Sequence, residues 1–389
     1  MASKRQKKKG RAFWWISIAL YMTAATVCGI FLGNYVTSIG LADREATQQL
    51  LFYAVFFLGC YGAIYLDVIT HELGHWLFGR ISGYRFVSFR IGSMTWIRGG
   101  DGKIHFKSMK LVGTGGQCLL SPPDMKNGKI PVVLYNFGGC LLNLLTGGVM
   151  LTAFFLLRGE FSMPRLLVLF AALFNFVIAL TNGIPMDSGM IANDGKNALS
   201  LGRDPEAMRA FWLQLKINEM QTRGLRLKDM PKEWFEMPAD ENMDNPMIAA
   251  LGVFACNRLM DEGRLEEADE RMKRLLGMES AMNGIYRQML TCDRMFCEIV
   301  GENRRDIIEA MRTPGLLKFM KLMYTDPSVI RTEYAYYLLA VGDERQAAGK
   351  KALFEKFAAK YPFEAGIVAE RELISRVDDA FEKTKKALT

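Results

Sequence analysis

Four apolar stretches of this chain, at residues 13–36, 50–71, 130–157 and 166–185, are each long enough to cross a ~30 Å hydrocarbon layer as a helix. That limits what the first half of the chain can fold into, and the second stretch limits it further. From Gln49 to Leu66 it reads QLLFYAVFFLGCYGAIYL without a charge, and Asp67, His71, Glu72 and His75 follow on the same helical pattern. Ionisable groups at membrane depth are costly and mark function. The chain has three histidines, and two of them stand four apart in His71-Glu72-Leu73-Gly74-His75. On a helix, positions i and i+4 share a face, so the two imidazoles can serve one tetrahedral metal while Glu72 stands beside its water. The pattern alone is short enough to arise by chance; its place at the end of an apolar span makes a Zn2+ site the expectation.

Charge divides the chain near residue 195. Residues 1–195 hold 18 Lys and Arg against 9 Asp and Glu, and residues 196–389 hold 31 against 32. The net charge of +8 is therefore a property of the apolar half. There it is better explained by membrane orientation than by nucleic-acid binding, which is not expected. The first eleven residues carry six basic side chains and residues 80–129 carry nine, whereas the other two connections hold only Arg44, Arg158 and Arg165. The positive-inside rule then places both termini and the central loop in the cytoplasm of an integral membrane protein, with a bacterial plasma membrane as the fitting location. The first stretch is too long for a signal-peptide core and lacks a clear cleavage site after it. Seven scattered cysteines without a CxxC pair suggest neither a disulfide framework nor a thiolate metal site.

The fold class expected is a mostly α membrane protein: about four transmembrane helices with a β-hairpin insertion, joined to a soluble helical repeat-like domain. Residues 1–12 form a polybasic cytoplasmic tail, 13–195 a membrane core and 196–389 a cytoplasmic helical domain. A β-hairpin or small sheet is read at about 85–112, as strands 85–97 and 104–112 around Gly99-Gly100-Asp101-Gly102, from alternating polar and β-forming residues. A glycine- and proline-bearing connection follows it. In the C-terminal half, turns at Gly263, Gly301 and Gly342, spaced 38 and 41 residues apart, mark imperfect helix-turn-helix repeats that resemble tetratricopeptide units. Such a stack offers a face for a protein partner.

A catalytic zinc commonly takes three protein ligands. His105 lies in the hairpin without a histidine neighbour, so the third ligand is expected to be a carboxylate. Asp187 and Asp194 both lie just beyond the fourth span, on the side that topology shares with the HELGH motif. Glu160 falls on the opposite side, and Asp67 stands one turn before His71, as an acceptor for its ring or a structural contact.

HELGH on an apolar helix, Gly138-Gly139-Cys140-Leu141-Leu142-Asn143 in the next span, and Asn182-x-x-Pro185 followed by Asn193-Asp194-Gly195 resemble the site-2 protease family of intramembrane zinc metalloproteases. The resemblance covers about residues 50–197. It implies His71, His75 and Asp194 as zinc ligands, Glu72 as catalytic base, and Asn182 near the site. The interval from Asn182 to Asp194 is longer than the family's common spacing, and Asp187 lies within it. Local chemistry favours Asp194: Asp187 sits two residues past Pro185, where a carboxylate caps a turn, and Gly195 permits close backbone approach.

The implied reaction is metal-assisted hydrolysis of a peptide bond in or near a transmembrane segment of a membrane-bound protein or peptide precursor. Asn182 or Asn143 is then available to donate to the developing oxyanion. The competing reading is a membrane-anchored helical-repeat scaffold whose zinc site is structural or degenerate. An intact Glu72 argues against it, because a structural site has no use for a general base.

Overall fold

The computed structural model describes residues 2–108, 115–156, 162–185 and 193–388, with side chains described between residues 15 and 386. The chain separates into two compact units. One comprises Met1–Ile91, Gly115–Met125 and Lys129–Asp204; the other comprises Gly92–Thr114, Lys126–Gly128 and Pro205–Thr389.

In the first unit the apolar stretches become four helices, α1 (Ala2–Ser38), α2 (Ala46–Ile81), α3 (Val132–Leu156) and α4 (Met163–Gly183). All four are long and apolar enough to cross a membrane. Helix α1 runs back through the basic tail, and α2 extends ten residues beyond His71 to Ile81. Their polarity is inverted relative to a water-soluble bundle. Leu50, Leu58 and Leu156 are each more than 70 % exposed, while Asp67, His71, Glu72 and His75 on α2, Asn143 on α3 and Asn175 on α4 are buried. The distribution is the one expected of helices in a hydrocarbon solvent, where polar side chains must face the bundle interior. Helices α2 and α3 cross at glycines: a Cβ on Gly74 would lie 2.3 Å from the Gly138 carbonyl oxygen. Only residues without side chains allow backbones this close.

Four antiparallel strands follow α2: β1 (Arg85–Ile91), β2 (Met94–Arg98), β3 (Ile104–Ser108) and β4 (Gly116–Ser121). In the first unit β1 pairs with β4, Arg85 opposite Ser121 and Ile91 opposite Gly116. In the second unit β2 pairs with β3, Met94 opposite Ser108 and Arg98 opposite Ile104. Of the hairpin or small sheet expected from the sequence, the two strands become four, with changes in two places. Its first strand breaks at Gly92, which takes a positive φ of 59° that ends one strand and starts the next. A fourth strand forms where only a connection was expected. Residues 109–112, the expected end of the hairpin, lie outside the described residues. The first unit closes with the short α5 (Asp194–Ser200) and a 3-10 turn at Leu201–Arg203, which moves the boundary from residue 195 to Asp204.

The second unit is helical apart from the β2–β3 hairpin. Its helices are α6 (Pro205–Thr222), α7 (Pro246–Asp261), α8 (Leu265–Gly277), α9 (Gly284–Val300), α10 (Arg305–Met311), α11 (Pro314–Leu322), α12 (Pro327–Ala335), α13 (Glu344–Ala358) and α14 (Glu364–Leu388), with a π-helical turn at Tyr336–Val341 before α13. The three glycine turns fall at helix ends. Gly263 (φ 72°) joins α7 to α8, and Gly342 (φ 78°) leads into α13. Between α9 and α10 the left-handed residue is Asn303, not Gly301. Leu290, Met295, Phe296, Val329, Ile330 and Val377 are wholly buried in the main core of this unit.

Candidate metal centre

Helix α2 turns His71 and His75 towards α3, and Gly139 on α3 makes room for His71. A Cβ on Gly139 would lie 2.6 Å from His71 Cε1, so the imidazole fills space that any other residue would occupy. Each ring is oriented through Nδ1. His71 Nδ1 is 2.8 Å from Asn143 Oδ1, and His75 Nδ1 is 2.9 Å from the Tyr135 carbonyl oxygen. Both partners are acceptors. The carbonyl has no alternative, and Asn143 presents its oxygen because its amide nitrogen donates to the Asp67 carbonyl at 3.1 Å and to Asn175 Oδ1 at 2.5 Å. The tautomers follow: both Nδ1 atoms carry protons, and both Nε2 atoms present bare lone pairs.

Asp194 arrives from α5. Asn193 caps that helix, its Oδ1 accepting from Lys196 N at 3.1 Å, and its Nδ2 donates to the carbonyls of Thr181 and Ile184 at 3.0 and 2.6 Å. Gly195 permits the approach, since a Cβ there would lie 1.9 Å from the Gly183 carbonyl oxygen. Asp194 Oδ2 is thereby held 3.1 Å from His71 Nε2 and 3.3 Å from His75 Nε2, and the two Nε2 atoms are 3.2 Å apart.

Three acceptor atoms converging without a hydrogen between the nitrogens repel one another unless a cation lies among them. Bonds of about 2.0–2.1 Å in a tetrahedral shell put ligand atoms about 3.3 Å apart, close to the three separations here. His71, His75 and Asp194 could therefore hold a metal ion.

Glu72 is buried beside this group, with the Cys118 backbone N–H donating to its carboxylate. Strand β4 passes so near that a Cβ on Gly116 would lie 2.7 Å from Glu72 Oε1. Asn182, at the last turn of α4, donates from Nδ2 to the Ile178 carbonyl at 3.0 Å. Asp67 does not touch His71 directly. Its Oδ1 accepts from Asn175 Nδ2 at 2.6 Å, so the chain of bonds runs from His71 through Asn143 and Asn175 to Asp67, leaving Asp67 Oδ2 without a partner among the described residues. His105 pairs instead with Asp101 on the exposed β2–β3 hairpin, at 2.9 Å. Asp187 and Glu160 lie outside the described residues.

Two contributors escaped the sequence reading. Asn175 had a signal, an amide within an otherwise apolar span. The Tyr135 carbonyl had none, because a backbone acceptor is independent of residue type.

Comparison with protein-family models, curated proteins and solved structures gives no match. The functional reading therefore stands on the geometry.

Proposed function

We propose that this chain is an intramembrane zinc metalloprotease of the site-2 protease type, hydrolysing a peptide bond in or near a transmembrane segment of a membrane-bound protein or peptide. One observation carries the reading: a cage of acceptors, His71 Nε2, His75 Nε2 and Asp194 Oδ2, closes around one point beside Glu72, inside helices of membrane-spanning length. Two imidazoles and one carboxylate suit zinc and leave one position open in a four-coordinate shell. When bound, the metal supplies Lewis acidity and lowers the pKa of water.

The protein's own groups do the rest. Glu72 takes the proton of the attacking water and delivers it to the leaving amine. Asn143 has both amide hydrogens committed, to Asp67 and Asn175, so its part is to fix the His71 ring. Asn182 has a second amide hydrogen beyond the one given to Ile178, and the oxyanion role falls to it. A substrate helix has its backbone satisfied internally and must unwind before it can react. Strand β4, beside Glu72, offers backbone pairing to the unwound segment.

The test is co-expression with candidate single-span proteins, followed by mass spectrometry of the fragments. Wild type is expected to cleave at one position, and Glu72→Gln to lose about 10²–10⁴ in rate while keeping its metal. Equal cleavage by the two proteins would refute the assignment. Topology has its own check, since the fifteen basic residues of the tail and central loop predict cytoplasmic labelling of both termini.

A further inference from the structure

The helical unit contains a cavity of about 260 Å³ walled by α6, α7, α9, α12 and α14. Its lining includes the aromatic and apolar Tyr286, Tyr361, Phe363 and Met289 together with charged groups, and those charges do not balance. Arg226 is already shared between Asp261 and Glu372. Among the described lining residues Arg331, 1 % exposed, is the one cation left for three carboxyls, Asp293, Asp326 and Glu370. Its Nη1 donates to Glu370 Oε2 at 2.8 Å and its Nη2 to Asp293 Oδ1. Asp326 spends Oδ1 on capping α12, through Ser328 N at 3.0 Å and Val329 N at 3.4 Å. Each carboxyl thus has one oxygen engaged, and Arg331 Nε is a buried donor without a hydrogen-bond partner among the described residues. Burial and the neighbouring Asp293 and Asp326 outweigh Arg331 and push the Glu370 carboxyl up to about 7, and burial raises Asp326 as well. Positive charge is in short supply at this point.

We infer that this cavity receives a lysine or arginine side chain from a basic cytoplasmic segment of a partner protein. The cationic head lies against Asp293, Asp326 and Glu370, and the aliphatic stem against Tyr286, Tyr361 and Phe363. Charge complementarity selects the occupant: an anion would meet uncompensated carboxylates, whereas a cation on an apolar stem matches both walls. If the chain is an intramembrane protease, such segments come with its substrates. Single-span proteins carry Lys and Arg in their short cytoplasmic flanks, so the cavity would read the flank of the protein being cleaved.

The experiment uses the full-length Glu72→Gln protein in detergent, so that binding is read without turnover. A dye-labelled lysine-rich peptide is compared by fluorescence anisotropy with the same peptide carrying glutamine at every lysine. The lysine peptide is expected to bind, and the glutamine peptide to bind at least tenfold more weakly. Glu370→Gln and Asp326→Asn keep shape and hydrogen-bonding capacity, and each is expected to weaken the lysine peptide at least tenfold. Glu344→Gln on the exposed start of α13 should leave it unchanged. In the parent protein, affinity should also fall as salt is raised. Equal binding of the two peptides, or affinity indifferent both to salt and to the cavity variants, overturns the proposal. Cleavage by wild type is scored separately: its absence with peptide binding intact counts against the protease reading alone, and cleavage without selective peptide binding counts against the cavity alone.

Discussion

The two units treat buried polar groups in opposite ways. In the first, His71, His75 and Asp194 bring acceptor atoms together with no protein donor among them, and the Asn143–Asn175–Asp67 chain holds that arrangement in place. In the second, buried charges are paired within the protein: Arg258 donates to the carbonyls of Leu227, Lys228 and Met230, Arg226 meets Asp261, and Arg331 meets Asp293 and Glu370. Charge left uncompensated at a point marks a place for something from outside. Charge that closes on itself marks architecture. On that criterion the His71–His75–Asp194 group is open, and the helical unit is closed wherever its described pairs can be traced except around Glu370.

The sharpest way to break the contrast is to remove one acceptor from the open site. Asp194→Ala is expected to lower metal affinity by more than the ~10–100-fold that loss of a supporting group costs, read as metal content after dialysis. Asp187→Ala should retain the metal, and the reverse pattern would move the ligand to Asp187. The matching change in the closed unit is Arg331→Met, which leaves Asp293 and Glu370 buried and unpaired. It should destabilise the helical unit by about 3–5 kcal/mol in denaturant unfolding without altering metal content. A loss of metal in this variant would show that the units are not independent in this respect.

Asn175→Leu tests the supporting chain. It removes the donor to Asp67 and the acceptor for Asn143, freeing the Asn143 amide to turn away from His71. Metal affinity should drop about 10–100-fold, with His71, His75 and Asp194 all intact. An unchanged affinity would reduce the chain to packing. The smallest effect concerns pH. Glu370 has its folded pKa raised from 4.5 to about 7, so the folded state holds its proton more tightly than the unfolded chain does. Its contribution to stability is full below about pH 4.5 and is lost as pH rises through about 7. Glu370→Gln should flatten that part of the stability profile, and thermal melts of the two proteins at pH 5 and pH 8 measure the difference.

What could be read from the chain follows from which features have a short period or a distinctive residue. The spans and HELGH were legible because apolar length and i, i+4 spacing are local. The pairing of Asp194 with the two histidines needed a resemblance, since 123 residues separate it from His71. Strand β4 was not legible: GQCLLS is too short to establish a period of two, and the glycines before it read as a loop. The break at Gly92 was hidden because RFVSFRIGSMTWIR continues its alternation across the turn. Asn175 was visible but had no stated partner, as amide networks between helices depend on helix rotation, which sequence does not specify.

The grouping of Gly92–Thr114 with the helical unit has a consequence in time. Lys107 on β3 meets Glu364 at the start of α14, 257 residues later. At about 5–20 residues per second, the ribosome needs on the order of 10–50 s to deliver that partner after the hairpin has emerged. Two helices long and apolar enough to cross a membrane, α3 and α4, are made in the interval. The hairpin is therefore an early-made part of a late-folding unit, and a chain stopped near residue 200 retains the strand pair but none of the helices its own unit supplies. Synthesis of α14, not of α4, is the step after which this unit can complete its fold.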